Sequence, residues 1–92
     1  MVSAVVLINV ERGQVNETAQ RLLEIEGVAE VYSVTGDYDL VALLRLQHYD
    51  DLSNVVTDHM VKIPSIKKTN TLMAFQCFSR EDMQQAWDIG VE

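Results

Sequence analysis

Hydrophobic positions in this chain change period several times, and the changes mark its elements. Residues 2–10 (VSAVVLINV) are dense in β-branched side chains and predict a strand. Glu11, Arg12 and Gly13 break it. Val15, Ala19, Leu22 and Leu23 then recur at helical spacing through a stretch closed by Gly27, a residue suited to a helix C-terminus. Strands are expected at about residues 29–35 and 38–46. A second helix is expected from near Asp50, whose side chain can cap free amides. Its inner face reads as Leu52, Val55, Val56, His59 and Ile63, and Pro64 ends it. Residues 66–78 predict the fourth strand.

The order βαββαβ predicts an α+β, ferredoxin-like domain. Right-handed crossovers place both helices on one face of a four-stranded antiparallel sheet. Ser79, Arg80, Glu81 and Asp82 resemble a capping box opening a short C-terminal helix, with Met83, Ala86, Trp87 and Gly90 on one side of it. The expected division is therefore a domain over residues 1–78 and a helical extension over 79–92. Two readings of the extension stay open: it covers an open end of the sheet, or it reaches a neighbouring subunit.

With helices on one side only, strands should alternate apolar and polar. Here Ala4, Val6 and Ile8 take one face while Val5 and Leu7 take the other, and Leu40, Ala42 and Leu44 oppose Val41 and Leu43. In the last strand Leu72 and Ala74 oppose Met73, Phe75 and Cys77. A second apolar face of this extent exceeds what soluble monomers usually expose. It predicts an isologous homodimer packed sheet on sheet.

Composition narrows the function. Ninety-two residues, 48% of them hydrophobic, make one globular domain. Seven basic against fourteen acidic side chains give a net charge of −7, a poor basis for neutralising phosphates, so neither DNA nor an anionic membrane is an expected partner. No apolar run reaches the length of a membrane helix and no signal peptide is evident. The single cysteine, Cys77, forms no internal disulfide, which fits a cytoplasmic location. It reads as a buried structural thiol without a basic neighbour.

The most informative segment is residues 34–39, Val-Thr-Gly-Asp-Tyr-Asp, between two strand-like runs. Gly36 can take the positive φ that hairpin turns need. Asp37 and Asp39 can stabilise the turn through side chain-to-backbone bonds, or one of them can hold an ammonium group. Tyr38 can face a ligand or an adjacent subunit. His59 reads as a satisfied interior histidine. Aspartates 50, 51 and 58 with His48 are explained by capping and the helix dipole better than by a metal. No metal or cofactor is expected, and neither a nucleophilic triad nor a Gly-rich phosphate loop is present. Phe75 stands without the aromatic consensus and basic charge of RNA-binding βαββαβ domains.

The element order, the VTGDYDL hairpin, the Ile63-Pro64-Ser65-Ile66 lead-in and the Thr69-Asn70-Thr71-Leu72 strand resemble the effector-binding RAM domain of Lrp/AsnC transcription regulators. The resemblance covers about residues 2–78. It implies a dimer through the sheets, assembly of dimers into larger rings, often octamers, and amino-acid effectors bound in clefts between dimers. By position it implies Gly36, Asp37, Tyr38 and Asp39 on one side of such a cleft, with Thr69 and Thr71 opposite. No helix-turn-helix segment precedes the first strand, so the chain looks like a stand-alone module without direct DNA binding. The expectation is a cytoplasmic, non-enzymatic amino-acid sensor, acting on its own assembly or on an unidentified regulatory protein partner. The alternatives are a small enzyme of the dimeric α+β-barrel type, with His59 or His48 lining its cavity, and a purely structural interaction module.

Overall fold

A computed structural model describes residues 2–80. Strand β1 (Val2–Val10) is followed by helix α1 (Val15–Leu23), then strands β2 (Val28–Ser33) and β3 (Leu40–Leu46). Helix α2 (Tyr49–Ser53) runs into a π-helical segment (Asn54–Met60), and β4 (Ile66–Met73) completes the sheet. The four strands lie in the order β2-β3-β1-β4, all antiparallel. This is the expected ferredoxin-like arrangement, with β2 and β4 at the edges.

One face of the sheet carries the core. Ala4, Val6, Ile8, Leu40, Ala42 and Leu44 are almost wholly buried together with Leu22 of α1 and Val55 and Met60 of the π segment. Residues that pair across strands share a face. Register therefore puts Thr69, Thr71 and Met73 of β4 beside Ile8, Val6 and Ala4, on the helix side. The other face carries Val5 and Leu7, Val41 and Leu43, Tyr32 and Leu72. Tyr32 and Leu72 are about half exposed.

The second helix departs from the expected pattern in two ways. It begins at Tyr49, and the side chain that folds back is Asp51, not Asp50: the His48 backbone N–H donates to Asp51 Oδ2 at 3.1 Å. Further on, the Val61 N–H bonds the Val56 carbonyl at 3.2 Å, a five-residue step. That step inserts one residue into the helical register. Met60 takes the buried place and His59 is turned out to solvent, so the expected interior histidine is exposed.

The fourth strand stops at Met73 rather than Phe78, because its partner ends. Met73 pairs with Ala4, one further bond joins the Ala74 N–H to the Ser3 carbonyl at 3.0 Å, and β1 begins at Val2. Beyond that point Phe75, Cys77 and Phe78 are exposed, so Cys77 is not the buried thiol expected. Arg80 is helical, and the rest of the helix expected after Ser79 lies outside the described residues. Among the described residues no helix is long and apolar enough to cross a membrane.

Candidate functional site

The strands flanking the 34–39 segment end earlier than the sequence pattern suggests, at Ser33 and Leu40, so six residues form the loop. Gly36 has φ +104° and would carry a Cβ into open space, so its role is conformational rather than one of packing. The Val34 N–H bonds the Asp39 carbonyl at 3.1 Å and closes the loop.

Strand β1 holds the loop in place. The Asp39 N–H donates to the Ile8 carbonyl at 2.9 Å, and the Val10 N–H donates to Asp39 Oδ2 at 2.8 Å. Asp39 thus satisfies a strand-end amide that the ladder leaves free. Asn9 Nδ2 donates to the Asp37 carbonyl at 2.7 Å. Tyr38 reaches the other neighbour of β1, where Asn70 Nδ2 of β4 donates to its phenol oxygen at 3.5 Å, near the outer limit for such a bond.

The Pro64-containing lead-in is tied to the same end of the sheet. The Glu11 N–H donates to the Ser65 carbonyl at 2.7 Å, and the Ser65 hydroxyl shares a 2.6 Å bond with Thr18 Oγ1. Thr18 is completely buried in α1, so this bond satisfies a hydroxyl that would otherwise be costly to bury.

Once these bonds are made, the two aspartates differ. The Asp39 carboxylate is committed to β1. The exposed Asp37 carboxylate bonds no described residue, and neither do the backbone N–H groups of Thr35, Gly36 and Asp37. One free anion beside several free donors complements a molecule that carries both an ammonium and a carboxylate. Thr69 and Thr71 share the β4 strand with Asn70 but stand, by register, on the helix face. Asn70 occupies the loop-bearing face beside Leu7. The side chains that sequence reasoning missed are Asn9 and Asn70. Only the strand register, which no local pattern reveals, brings them to the loop.

Two clefts of about 360 and 410 Å³ open away from the loop, the first beside Leu46, which pairs with Val2 at the opposite end of the sheet, and the second between residues 21–26 and 58–63. Glu26 and His59 line both. No loop residue lines either cleft, and among the described residues no group of three His, Cys, Asp or Glu side chains is placed to hold a metal ion. On the open face, Tyr32 Oη donates to Glu30 Oε2 at 2.7 Å. That bond, and then the charge of Glu30, push the Tyr32 phenol above its ordinary value of 10.0.

Residues 3–83 match the model of the Lrp/AsnC ligand binding domain. The transcriptional regulator FL11 of Pyrococcus horikoshii is 33% identical over 73 residues, 79% of this chain and 48% of that protein. The chain therefore spans about half the length of the curated relatives it matches. TTHA0845 of Thermus thermophilus superposes with a TM-score of 0.82 at 42% identity, covering 87% of this chain and all of that one. A feast or famine regulatory protein from M. tuberculosis, solved with L-methionine, superposes with a TM-score of 0.72 at 24% identity, covering 88% and 54%.

Proposed function

The chain belongs to the Lrp/AsnC ligand-binding domain family, and from that premise we propose that it is a non-enzymatic regulatory module that binds a free amino acid at the 34–39 loop. The observation that carries this reading is the free Asp37 carboxylate beside the unbonded amides of Thr35, Gly36 and Asp37, on a loop braced by Asp39. The ammonium binds Asp37 and the carboxylate takes the amides. Two or three hydrogen bonds to charged groups, each about 1.5–3 kcal/mol, less the cost of immobilising the ligand, correspond to roughly micromolar to millimolar affinity. L-methionine, the ligand of the M. tuberculosis neighbour, is the natural first compound to try.

A loop that offers one wall of a pocket needs a second wall. In this proposal another copy supplies it, with Gly36, Asp37 and Tyr38 facing the ligand and Asp39 holding them. Thr69 and Thr71, on the helix side of β4, lie away from this wall, and Asn70 takes the place beside the loop. The apolar open face supports pairing of two copies sheet on sheet, and the family resemblance implies assembly of such pairs into rings, up to octamers. The module comprises residues 1–78 with 79–92 as an extension, resides in the cytoplasm, and acts through its assembly or a protein partner rather than by binding DNA itself.

Thermal shift with the twenty standard amino acids, in the wild type and in Asp37→Ala, tests this. A ligand at tenfold excess over its Kd stabilises by about 1.4 kcal/mol. For a domain of this size that raises Tm by roughly 6–11 °C. A rise for at least one amino acid, lost in Asp37→Ala, is the expected result. No rise for any of the twenty at millimolar concentration refutes the reading.

A further inference from the structure

We propose that Asn9 and Asn70 are positioning residues for the loop, and that Asn70 makes the Tyr38 hydroxyl an oriented donor to the bound molecule. The inference rests on the reading of the loop as an amino-acid site and adds to it how that site is aimed.

Neither asparagine belongs to the loop. Asn9 lies 28 residues before Asp37 and Asn70 lies 32 residues after Tyr38. Both stand on the helix-free face, Asn9 opposite Lys68 and Asn70 opposite Leu7. An asparagine is a weak choice for a strand interior, where β-branched and aromatic residues fit better. Each here spends its amide on the same loop.

The two contacts do different things. Asn9 occupies the carbonyl of Asp37 at 2.7 Å, which fixes the peptide plane that follows it and settles where the Asp37 side chain departs. The amides of Thr35, Gly36 and Asp37 bond no described residue and stay free for a ligand. Asn70 acts on a side chain. A phenol oxygen that accepts from an amide keeps its own proton to give elsewhere. Tyr38 Oη accepts from Asn70 Nδ2, which leaves its own O–H to donate to a molecule seated on the loop. The group it suits is an anionic oxygen, the carboxylate of an amino acid or a polar side chain on it. At 3.5 Å the contact is long, and a ligand that draws on the Tyr38 proton strengthens it, since hydrogen bonds in a chain polarise one another.

A double-mutant cycle reads this directly. The twenty standard amino acids are screened on the wild type by thermal shift, and the one giving the largest shift is titrated calorimetrically into wild type, Asn70→Ala, Tyr38→Phe and the double variant. Asn70→Ala and Tyr38→Phe are each expected to weaken binding about three- to tenfold, with the double variant no weaker than Tyr38→Phe alone. Asn9→Ala is expected to weaken binding about tenfold, with partial recovery in Asn9→Gln, which retains a donor amide. Urea midpoints of the ligand-free Asn70→Ala and Tyr38→Phe proteins should stay close to the wild type, because Asn70 is exposed and the half-buried Tyr38 hydroxyl makes only the long 3.5 Å contact. Binding unchanged in Asn70→Ala, or losses that simply multiply in the double variant, overturn the proposal while leaving the amino-acid site intact. A wild type that responds to none of the twenty overturns both.

Discussion

Asp37 and Asp39 are two residues apart and chemically identical, yet the structure bonds only the Asp39 carboxylate, and replacing each with alanine separates them. Asp39 Oδ2 accepts the Val10 N–H at 2.8 Å, and Val10 is only 7% exposed. Truncating Asp39 removes a hydrogen bond to a charged group, worth about 1.5–3 kcal/mol, and leaves a buried amide unpaired. Asp39 is itself half-buried and partly solvated, so the lower part of that range applies, about 2 kcal/mol. For a domain of this size, 1 kcal/mol moves Tm by about 4–8 °C, so Asp39→Ala should melt about 8–16 °C below the wild type. Asp39→Asn keeps an acceptor without the charge and should lose about half as much. Asp37 is exposed and its carboxylate bonds no described residue, so Asp37→Ala should stay within about 0.5 kcal/mol of wild type. Urea unfolding at one fixed protein concentration measures both, since pairing of copies makes apparent stability depend on concentration. A fall in midpoint at constant slope is a change in stability alone. If Asp37→Ala destabilises the ligand-free chain as much as Asp39→Ala does, the division of roles is refuted.

Other substitutions probe the frame around the loop. Met60 is fully buried by the π step while His59 is exposed, so Met60→Ala should cost about 2–5 kcal/mol and His59→Ala under about 0.5 by urea unfolding; the reverse order would restore a plain α-helical register. Gly27 has φ +101° and a Cβ there would collide with Leu46 Cδ2, whereas Gly36 opens to solvent at φ +104°. Gly27→Ala should therefore destabilise by about 2–4 kcal/mol against about 1–2 for Gly36→Ala. Tyr32 should ionise above pH 10.0 in a spectrophotometric titration, and Glu30→Gln should bring it down. Its raised value favours the neutral phenol in the folded chain, so that contribution is present below the ordinary value and is lost as pH rises past it.

Most of the architecture was legible because it is local. Residues 2–10 are dense in β-branched side chains, and the strand runs over those nine residues. The features that escaped the sequence all depend on partners far along the chain. Residues 74–78 continue a strand-like pattern, yet their ladder ends because β1 offers nothing more to pair with. The spacing of Leu52, Val55, Val56 and His59 assumes 3.6 residues per turn, and the π-helical stretch Asn54–Met60 exchanges His59 for Met60 in the core. In the Asp-Tyr-Asp triplet nothing nearby distinguishes the two carboxylates. The distinction comes from Val10, 29 residues away. Nothing near Asn9 or Asn70 in the chain points to the loop until register places them against it.

The claim that an amino acid binds at the loop is tested most directly by hydrogen–deuterium exchange, read with and without the amino acid that stabilises the chain. The free amides of Thr35, Gly36 and Asp37 should exchange quickly alone and slow when its carboxylate is bound. Exchange around the Glu26 and His59 clefts should not change. Protection confined to the cleft segments, with residues 34–39 unaffected, would contradict it.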